Sequence, residues 1–450
     1  MRQIVSPLSG FISPLGQLRS NTSAEFAMTI ATTGANETFT IPCQNNGTFD
    51  AVIDWGDGSV STVTSYNDSN LAHTYASAGD HLISISGSFP NIYFNNTGDK
   101  LKVKSVENLG TVGWTTLNAA FRGCNNMTSF TAETTDTSSV TNMMDMFRDC
   151  SSLTSLDVSS FDTSSVTNMG IMFQQCTNLE SLNVSSFDTS SVTAMNNMFL
   201  NCNSLTSLDV SNFDTSSVLM FTNMFRQCSS LTSLDVTNFD TSSARGSNGM
   251  AGMFRQCTDL TSLDLSNFDT SSVTSMHSIF RQCTNLTSLD VSSFDTSSIT
   301  SFDSMFRECT NLTSLDVSNF DTSSATYLGY MFVDSNSFTS LDVSNFDTSS
   351  VFSMRNMFNC NSLTSLVGAE DFDITSFNNT NSLTGFMDNN GEMTTAQYDA
   401  LLVKWDAQSV LSNIVATFGA SQYTAGSAAA TARANLISSD GWTISDGGTA

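Results

Sequence analysis

The sequence predicts an α/β repeat fold: a right-handed solenoid, with a small β-sandwich before it and an α/β cap after it. Three observations carry this. A leucine recurs at Leu156, Leu182, Leu208, Leu234, Leu263, Leu289, Leu315, Leu341 and Leu366, in steps of 26, 26, 26, 29, 26, 26, 26 and 25 residues. A fixed period of that size means units that hide their apolar faces only by stacking on one another. Between residues 25 and 100, FAMTIAT, ETFTIPC, FDAVIDW, VSTVTSY and HLISISGSF are short β-rich runs separated by turn residues such as GDGS, the pattern of a small sandwich. From Met393, MTTAQYDALLVKWDA sets Tyr398, Leu401, Leu402 and Trp405 at the spacing of one helical face. The expected divisions are a tail or docking arm over 1–24, the sandwich over 25–100, the solenoid over 101–388 and the cap over 389–450.

The best-preserved coil runs from Cys150 to Phe173, CSSLTSLDVSSFDTSSVTNMGIMF. Leu153, Leu156 and Val158 form L-x-x-L-x-V, the strand half of a leucine-rich-repeat-like coil, with Leu156 and Val158 inward and Asp157 outward. Phe161 packs after the strand. Gly170 to Gln175 leaves room for a turn or two of helix, with Met172 and Phe173 toward the core. Stacking then aligns like with like: a leucine ladder, a Met-Phe ladder from Met146-Phe147 to Met357-Phe358, and a cysteine ladder from Cys124 to Cys360 in which Ser335 takes one place. Neighbouring cysteines would lie ~5 Å apart, within disulfide range. Their register with the core favours buried free thiols, and the absence of CxxC pairs disfavours zinc.

LTSLDVSNFDTSSVTNM-x-x-MF-x-x-C over about 101–388 resembles the repeats of BspA-like bacterial surface proteins, relatives of leucine-rich repeats. The resemblance implies a surface-exposed, non-catalytic adhesion or recognition protein. Phe161 and its equivalents depart from the Asn or Cys ladder usual after the strand in ordinary leucine-rich repeats. Asp54-Trp55-Gly56-Asp57-Gly58-Ser59 with His73-Thr74-Tyr75 resembles the PKD-like domain, an immunoglobulin-like sandwich of extracellular bacterial proteins.

With 42 acidic against 15 basic residues and a net charge of −27, the chain repels nucleic acid and anionic lipid. No apolar run reaches the length of a membrane span. The first 20 residues, broken by Pro7, Gly10, Pro14 and Gly16, lack a secretory pattern. The expected location is extracellular or at the cell surface, with a host or cell-surface protein or glycan as partner. The alternative is a phage virion component, a tail fibre or capsid decoration, docked to other virion proteins through residues 1–24 and used for host attachment.

Two aspartate columns run along the predicted solenoid. Asp157, Asp209, Asp235, Asp264, Asp290, Asp316 and Asp342 project from the strand face and are candidates for a ligand face, together with Arg245 in the one coil that carries three extra residues. Spaced ~5 Å apart, they repel, and divalent cations, raised pKa values or a basic ligand would relieve them. A weak divalent-cation site, with calcium the cation considered, falls at Asp235, Asp264 and Asp290, or at Asp54 and Asp57; the local alternative for Asp54 and Asp57 is bonding to turn amides. The second column, Asp136 to Asp347, precedes Thr-Ser-Ser and reads as turn capping. Arg148, Arg226, Arg255, Arg281 and Arg307 form a broken exposed row that balances nearby acids. With only His73, His81 and His277 as histidines, no Ser/His/Asp set is localised, no phosphate-cradling loop appears, and an enzyme is not expected.

Overall fold

The computed structural model describes residues 24–387 and 391–450. The docking arm expected over 1–24 lies almost wholly outside the described residues.

The N-terminal region contains β1 (Phe26–Thr32), β2 (Glu37–Thr40), β3 (Asp50–Asp54), β4 (Val60–Val63), β5 (Ala72–Tyr75) and β6 (Gly79–Ser88). Their inward residues alternate, as in Ala51 and Ile53 of β3. β2 and β5 form their own antiparallel pair. The larger sheet does not stop at residue 100. Its order is β4-β3-β6-β1-β7-β8-β9, where β7 (Val103–Asn108), β8 (Ser129–Phe130) and β9 (Ser155–Leu156) belong to the first solenoid coils. β1 pairs antiparallel with β7, which pairs parallel with β8. The expected division at 100 therefore falls inside one sheet and one continuous apolar core, and β1 covers the first coil's open strand edge.

Beyond this junction the chain stacks into a solenoid of about 13 turns. Parallel pairs β10 (Ser181–Leu182) with β11 (Ser207–Leu208), and β12 (Ser340–Asp342) with β13 (Ser365–Val367), set Leu182 opposite Leu208 and Leu341 opposite Leu366. In the representative coil Leu153, Leu156, Val158, Phe161, Val166, Met169, Met172, Phe173 and Cys176 are all buried, as the pattern of the sequence requires.

The Met-Phe segment is not helical. Its N–H groups alternate between the next coil and its own turn: Asp145, Phe147 and Asp149 donate to the carbonyls of Gly170, Met172 and Gln174, while Met146, Arg148 and Cys150 donate three residues back. Two left-handed residues per coil make this possible, for example Ile171 (φ 65°) and Gln175 (φ 62°), or Asn197 (φ 56°) and Asn201 (φ 64°). Asn tolerates that backbone better than a β-branched residue does. This face carries cross-coil bonds along its whole length, whereas the SLDV segments between residues 233 and 317 form no assigned strand. The aromatic rings follow the same ladder: Phe147, Phe173, Phe199, Phe225, Phe254, Phe280, Phe306, Phe332 and Phe358 stack at 5.6–6.0 Å between successive centroids.

Three polar ladders run through the coils. Each buried threonine of the DTSS turns reaches the next coil, as Thr163 Oγ1 does to the Asp188 carbonyl at 2.9 Å. The residue before each turn phenylalanine reaches back to the preceding coil: Asn212 Nδ2 donates to the carbonyls of Val184 and Phe187 at 3.2 and 2.9 Å, and Asn238, Asn319 and Asn345 repeat this. An asparagine ladder is thus present, one residue ahead of Phe161 and its equivalents. In the third, Cys176 Sγ donates to the Phe147 carbonyl at 3.2 Å, and Ser335 makes the same bond to Phe306 at 2.6 Å. Burial pushes the thiols' pKa values up, to about 12 for Cys202 and Cys257. A thiol reagent added to the native protein is accordingly expected to titrate at most the half-buried Cys43, and all ten cysteines after denaturation. Fast native reaction of several thiols would show that the coils open.

The C-terminal segment is more than a lid. β14 (Leu383–Met387), β15 (Val415–Phe418) and β16 (Thr443–Ser445) form a parallel sheet. β14 continues the Met-Phe ladder, receiving the amides of Asn356 and Phe358 on Thr384 and Phe386. These rungs carry the stack past the last leucine-bearing coil, at Leu366. α1 (Thr395–Asp406) and α2 (Ala428–Ser438) pack on each other, and α1 packs against β13. α1 begins with a Thr394–Gln397 capping box and buries Tyr398, Leu401, Leu402 and Trp405. Arg433 Nε meets the buried Asp446 carboxylate at 2.7 Å, and Tyr398 Oη donates to the same carboxylate at 2.7 Å.

Candidate functional site

The stacking turns each coil position into a row along the molecule, so the candidate side chains fall in rows. The strand-borne aspartates, Asp157, Asp209, Asp235, Asp264, Asp290, Asp316 and Asp342, fall in one such row with Asn183 among them. All are exposed except the half-buried Asp157. Each has one carboxylate oxygen engaged in its own turn. Asp235 Oδ1 accepts the Thr237 amide at 3.0 Å and the Thr237 hydroxyl at 2.6 Å, and Asp157 and Asp342 do the same with Ser159 and Ser344. These bonds hold Asp157, Asp209, Asp235, Asp264, Asp290, Asp316 and Asp342 below the usual carboxylate range. Repulsion from Asp209 on Asp235, and from Asp235 and Asp290 on Asp264, acts in the opposite sense and is outweighed. The turn bonds thus favour the charged form along the column, opposite in sense to the raised pKa values considered for it.

The second aspartate column caps its turns as expected: Asp188 Oδ1 accepts from Ser190 N at 3.0 Å and Ser190 Oγ at 2.6 Å. Asp54 and Asp57 also serve their turn, accepting the amides of Gly56 and Ser59 at 2.9 Å each. Asp57 in addition meets His73 Nε2 at 2.8 Å, and His73 stacks on Trp55. Among the described residues, no three His, Cys, Asp or Glu side chains converge to hold a metal ion. Arg245 is exposed at the base of the three-residue insertion and stands in neither aspartate column.

One juxtaposition escaped the sequence reading. His277 Nδ1 lies 2.7 Å from Asp303 Oδ2, and His277 Nε2 lies 3.2 Å from Ser278 Oγ. The signal was available, because 277 and 303 are one 26-residue period apart. The contacts resemble a Ser/His/Asp set, but Ser278 is fully buried (0% exposed), so its oxygen cannot meet a substrate carbonyl. The His277–Asp303 contact joins two successive coils.

The arginine row divides in two. Arg122 and Arg148 face Asp145 at 3.9 and 3.1 Å, and Arg148 also reaches Asp149 at 3.6 Å. Arg226, Arg255, Arg281 and Arg307 lie on four consecutive coils and are half-buried rather than exposed. Arg281 and Arg307 share Glu308, at 3.8 and 3.0 Å. Arg226 and Arg255 have no carboxylate in ion-pair range among the described residues, and their Nε atoms are buried without a partner. Acid balance, expected for the whole row, holds for Arg148, Arg281 and Arg307 only.

No curated protein matches the chain. Among solved structures, a leucine-rich cell surface protein from Faecalibacterium prausnitzii aligns at 17% identity over 72% of this chain and 94% of its own, with a TM-score of 0.32. A complex of TLR13 with ssRNA13 aligns at 15% identity over 77% of this chain and 47% of its own, with a TM-score of 0.22. The family model described as "Mycoplasma protein of unknown function, DUF285" matches in five overlapping stretches, 89–183, 115–233, 172–251, 248–367 and 284–394. These cover the coils from the N-terminal junction to the start of the last two turns, well over half of the chain, and on that ground the protein belongs to the DUF285 family.

Proposed function

We propose that this chain is a non-enzymatic recognition protein, displayed outside the cell or on its surface, that binds a host or cell-surface glycan or protein along the solenoid. One observation carries the reading: stacking repeats each exposed side chain at a constant interval, producing long charged rows suited to an extended ligand. The side chains that resemble a catalytic set point the other way, since Ser278 is buried. The BspA-like form of the repeats supports display at a surface, and the PKD-like N-terminal segment then serves as a spacer that also seals the first coil. No described helix is long and apolar enough to cross a membrane.

The test is binding of the labelled full chain to a panel of intact bacterial and animal cells. Saturable binding, competed by unlabelled protein, is expected on at least one of them. Linear, uncompeted signal on every cell type overturns the reading, and recovery of the protein in purified phage particles would move it to the virion.

A further inference from the structure

Arg226, Arg255, Arg281 and Arg307 each follow the ladder phenylalanine of their coil. The register is tight: the amides of Gln227, Gln256 and Gln282 donate to the carbonyls of Arg255, Arg281 and Arg307, each at 2.8 Å. The four side chains therefore start ~5 Å apart along the axis, inside the ~8 Å screening length of physiological salt. Among the described residues, the four guanidiniums have one carboxylate, Glu308, in ion-pair range. Glu308 is shared by two arginines, and Asp303 is already held by His277 at 2.7 Å. Burial, then the neighbouring arginines, pull Arg255 down to about 10. In a chain of net charge −27, a cationic row that Glu308 neutralises only in part costs the free protein stability. A row of anions would reverse the sign of that term.

We infer that Arg226, Arg255, Arg281 and Arg307 bind a linear anionic glycan laid along the solenoid axis, its sulfate or carboxylate groups meeting successive guanidiniums. This rests on the surface-recognition reading and names its ligand class. Guanidinium forks match both oxyanions in bidentate geometry. A polysaccharide repeats its charges at intervals of a sugar ring, a length comparable with one coil of the stack. Gln227 and Gln256, half-buried beside the row, place amides where sugar hydroxyls would lie. Single-stranded nucleic acid fits less well, because it needs exposed rings for its bases. Phe225, Phe254, Phe280 and Phe306 are buried, and Tyr330, one coil on, lies under the Arg307 guanidinium at 5.8 Å.

The experiment uses the full chain with three probes: heparin oligosaccharides for sulfate, oligogalacturonate for carboxylate, and poly(dT) for nucleic acid. Titration at two salt concentrations is expected to show binding to one or both glycans. R226Q/R255Q should lose about tenfold or more in affinity and lower the salt slope by about two, while R122Q/R148Q, in the neutralised part of the row, changes less than about twofold. R226K/R255K, which keeps the charge and loses the fork, should fall between. Thermal melts of each variant confirm folding, and R226Q/R255Q should melt no lower than the wild type. Failure of the wild type to bind either glycan overturns the inference. So does equal loss in both glutamine variants, or poly(dT) bound as tightly as the glycans. Cell binding retained in full by R226Q/R255Q overturns the arginine row and leaves surface recognition standing; cell binding absent from the wild type overturns that reading itself.

Discussion

On acidification the melting temperature of the protein should hold level down to about pH 5 and then fall steeply through pH 4 and pH 3. The cause is the pair of aspartate columns. Asp136, Asp157, Asp188, Asp209, Asp235, Asp240, Asp264, Asp290, Asp295, Asp316, Asp321, Asp342 and Asp347 all sit below the ordinary value of 3.8, because serine or threonine two residues on donates hydroxyl and amide bonds to the charged form. A group whose folded pKa is depressed contributes stability above its unfolded value, and that contribution is lost as pH falls through the folded value. Two effects compete. Lowering the pH also discharges a molecule of net charge −27, which relieves repulsion and favours the folded state. The directions decide between them: in every column member named here the turn bonds outweigh the raising effect of neighbouring carboxylates. Each aspartate contributes little, but the coils share one stack, so the losses fall on one structure. Calorimetry across pH 3 to 7 measures the result, with net proton uptake on unfolding in the acid limb. A melting temperature that is flat or rising from pH 5 to pH 3 would show that charge relief wins.

Much of this architecture was legible because the sequence repeats its own solution. Leu156, Met172, Phe173 and Cys176 each recur at the same interval, and only stacking of equivalent positions explains that. Other features were hidden by the choice of reference. The strand-borne Asp157 and the turn-borne Asp162 both stand two residues before a serine, so the same bond was written twice, yet only the second resembled a turn. The asparagine ladder lies one residue before Phe161 and its equivalents, at Asn212, Asn238, Asn319 and Asn345, with serine in its place at Ser160 and Ser186. Thr163 looks like an ordinary turn residue; its burial follows from the coil beyond it, a relation between residues 25 apart that local reading does not weigh. The Met-Phe segment was expected to coil as a helix because Gly170 to Gln175 leaves room for a turn or two. The signal against it was the frequency of Asn, Gln, Gly and Ser at the flanking positions, where the chain turns left-handed. The arginine row was visible, but its imbalance was not: acids close in sequence to Arg148 gave a pattern that Arg226 and Arg255 do not follow.

Phe254→Ala is expected to be the most damaging single substitution in the core. Its ring is fully buried in the middle of the ladder, 5.9 Å from Phe225, 6.0 Å from Phe280 and 6.4 Å from the turn residue Phe268. Truncation removes contacts to both neighbouring coils at once, and the cross-coil bonds at Phe254, to Ile279, and at Phe225, to Met253, keep the backbone from collapsing into the space. The expected loss is about 3–5 kcal/mol. Its form should be as informative as its size. In a stack where each unit touches only its neighbours, a weak interface in the middle divides the cooperative unit. Urea unfolding followed by circular dichroism should therefore change from one transition to two, the first with a lower midpoint and each with a smaller slope than the wild type. Thr241→Val offers the comparison at the preceding turn of the same region. It keeps the shape and removes both bonds of Thr241 Oγ1, the one donated to the Asp269 carbonyl at 2.9 Å and the one accepted from the Asp269 amide at 2.8 Å, a loss of about 1–3 kcal/mol that should shift the midpoint without splitting the transition. A Phe254→Ala protein that unfolds in one step at nearly the wild-type midpoint would mean that the ring ladder is not what joins the coils. The cross-coil backbone bonds and the threonine and asparagine ladders would then have to carry the cohesion of the stack.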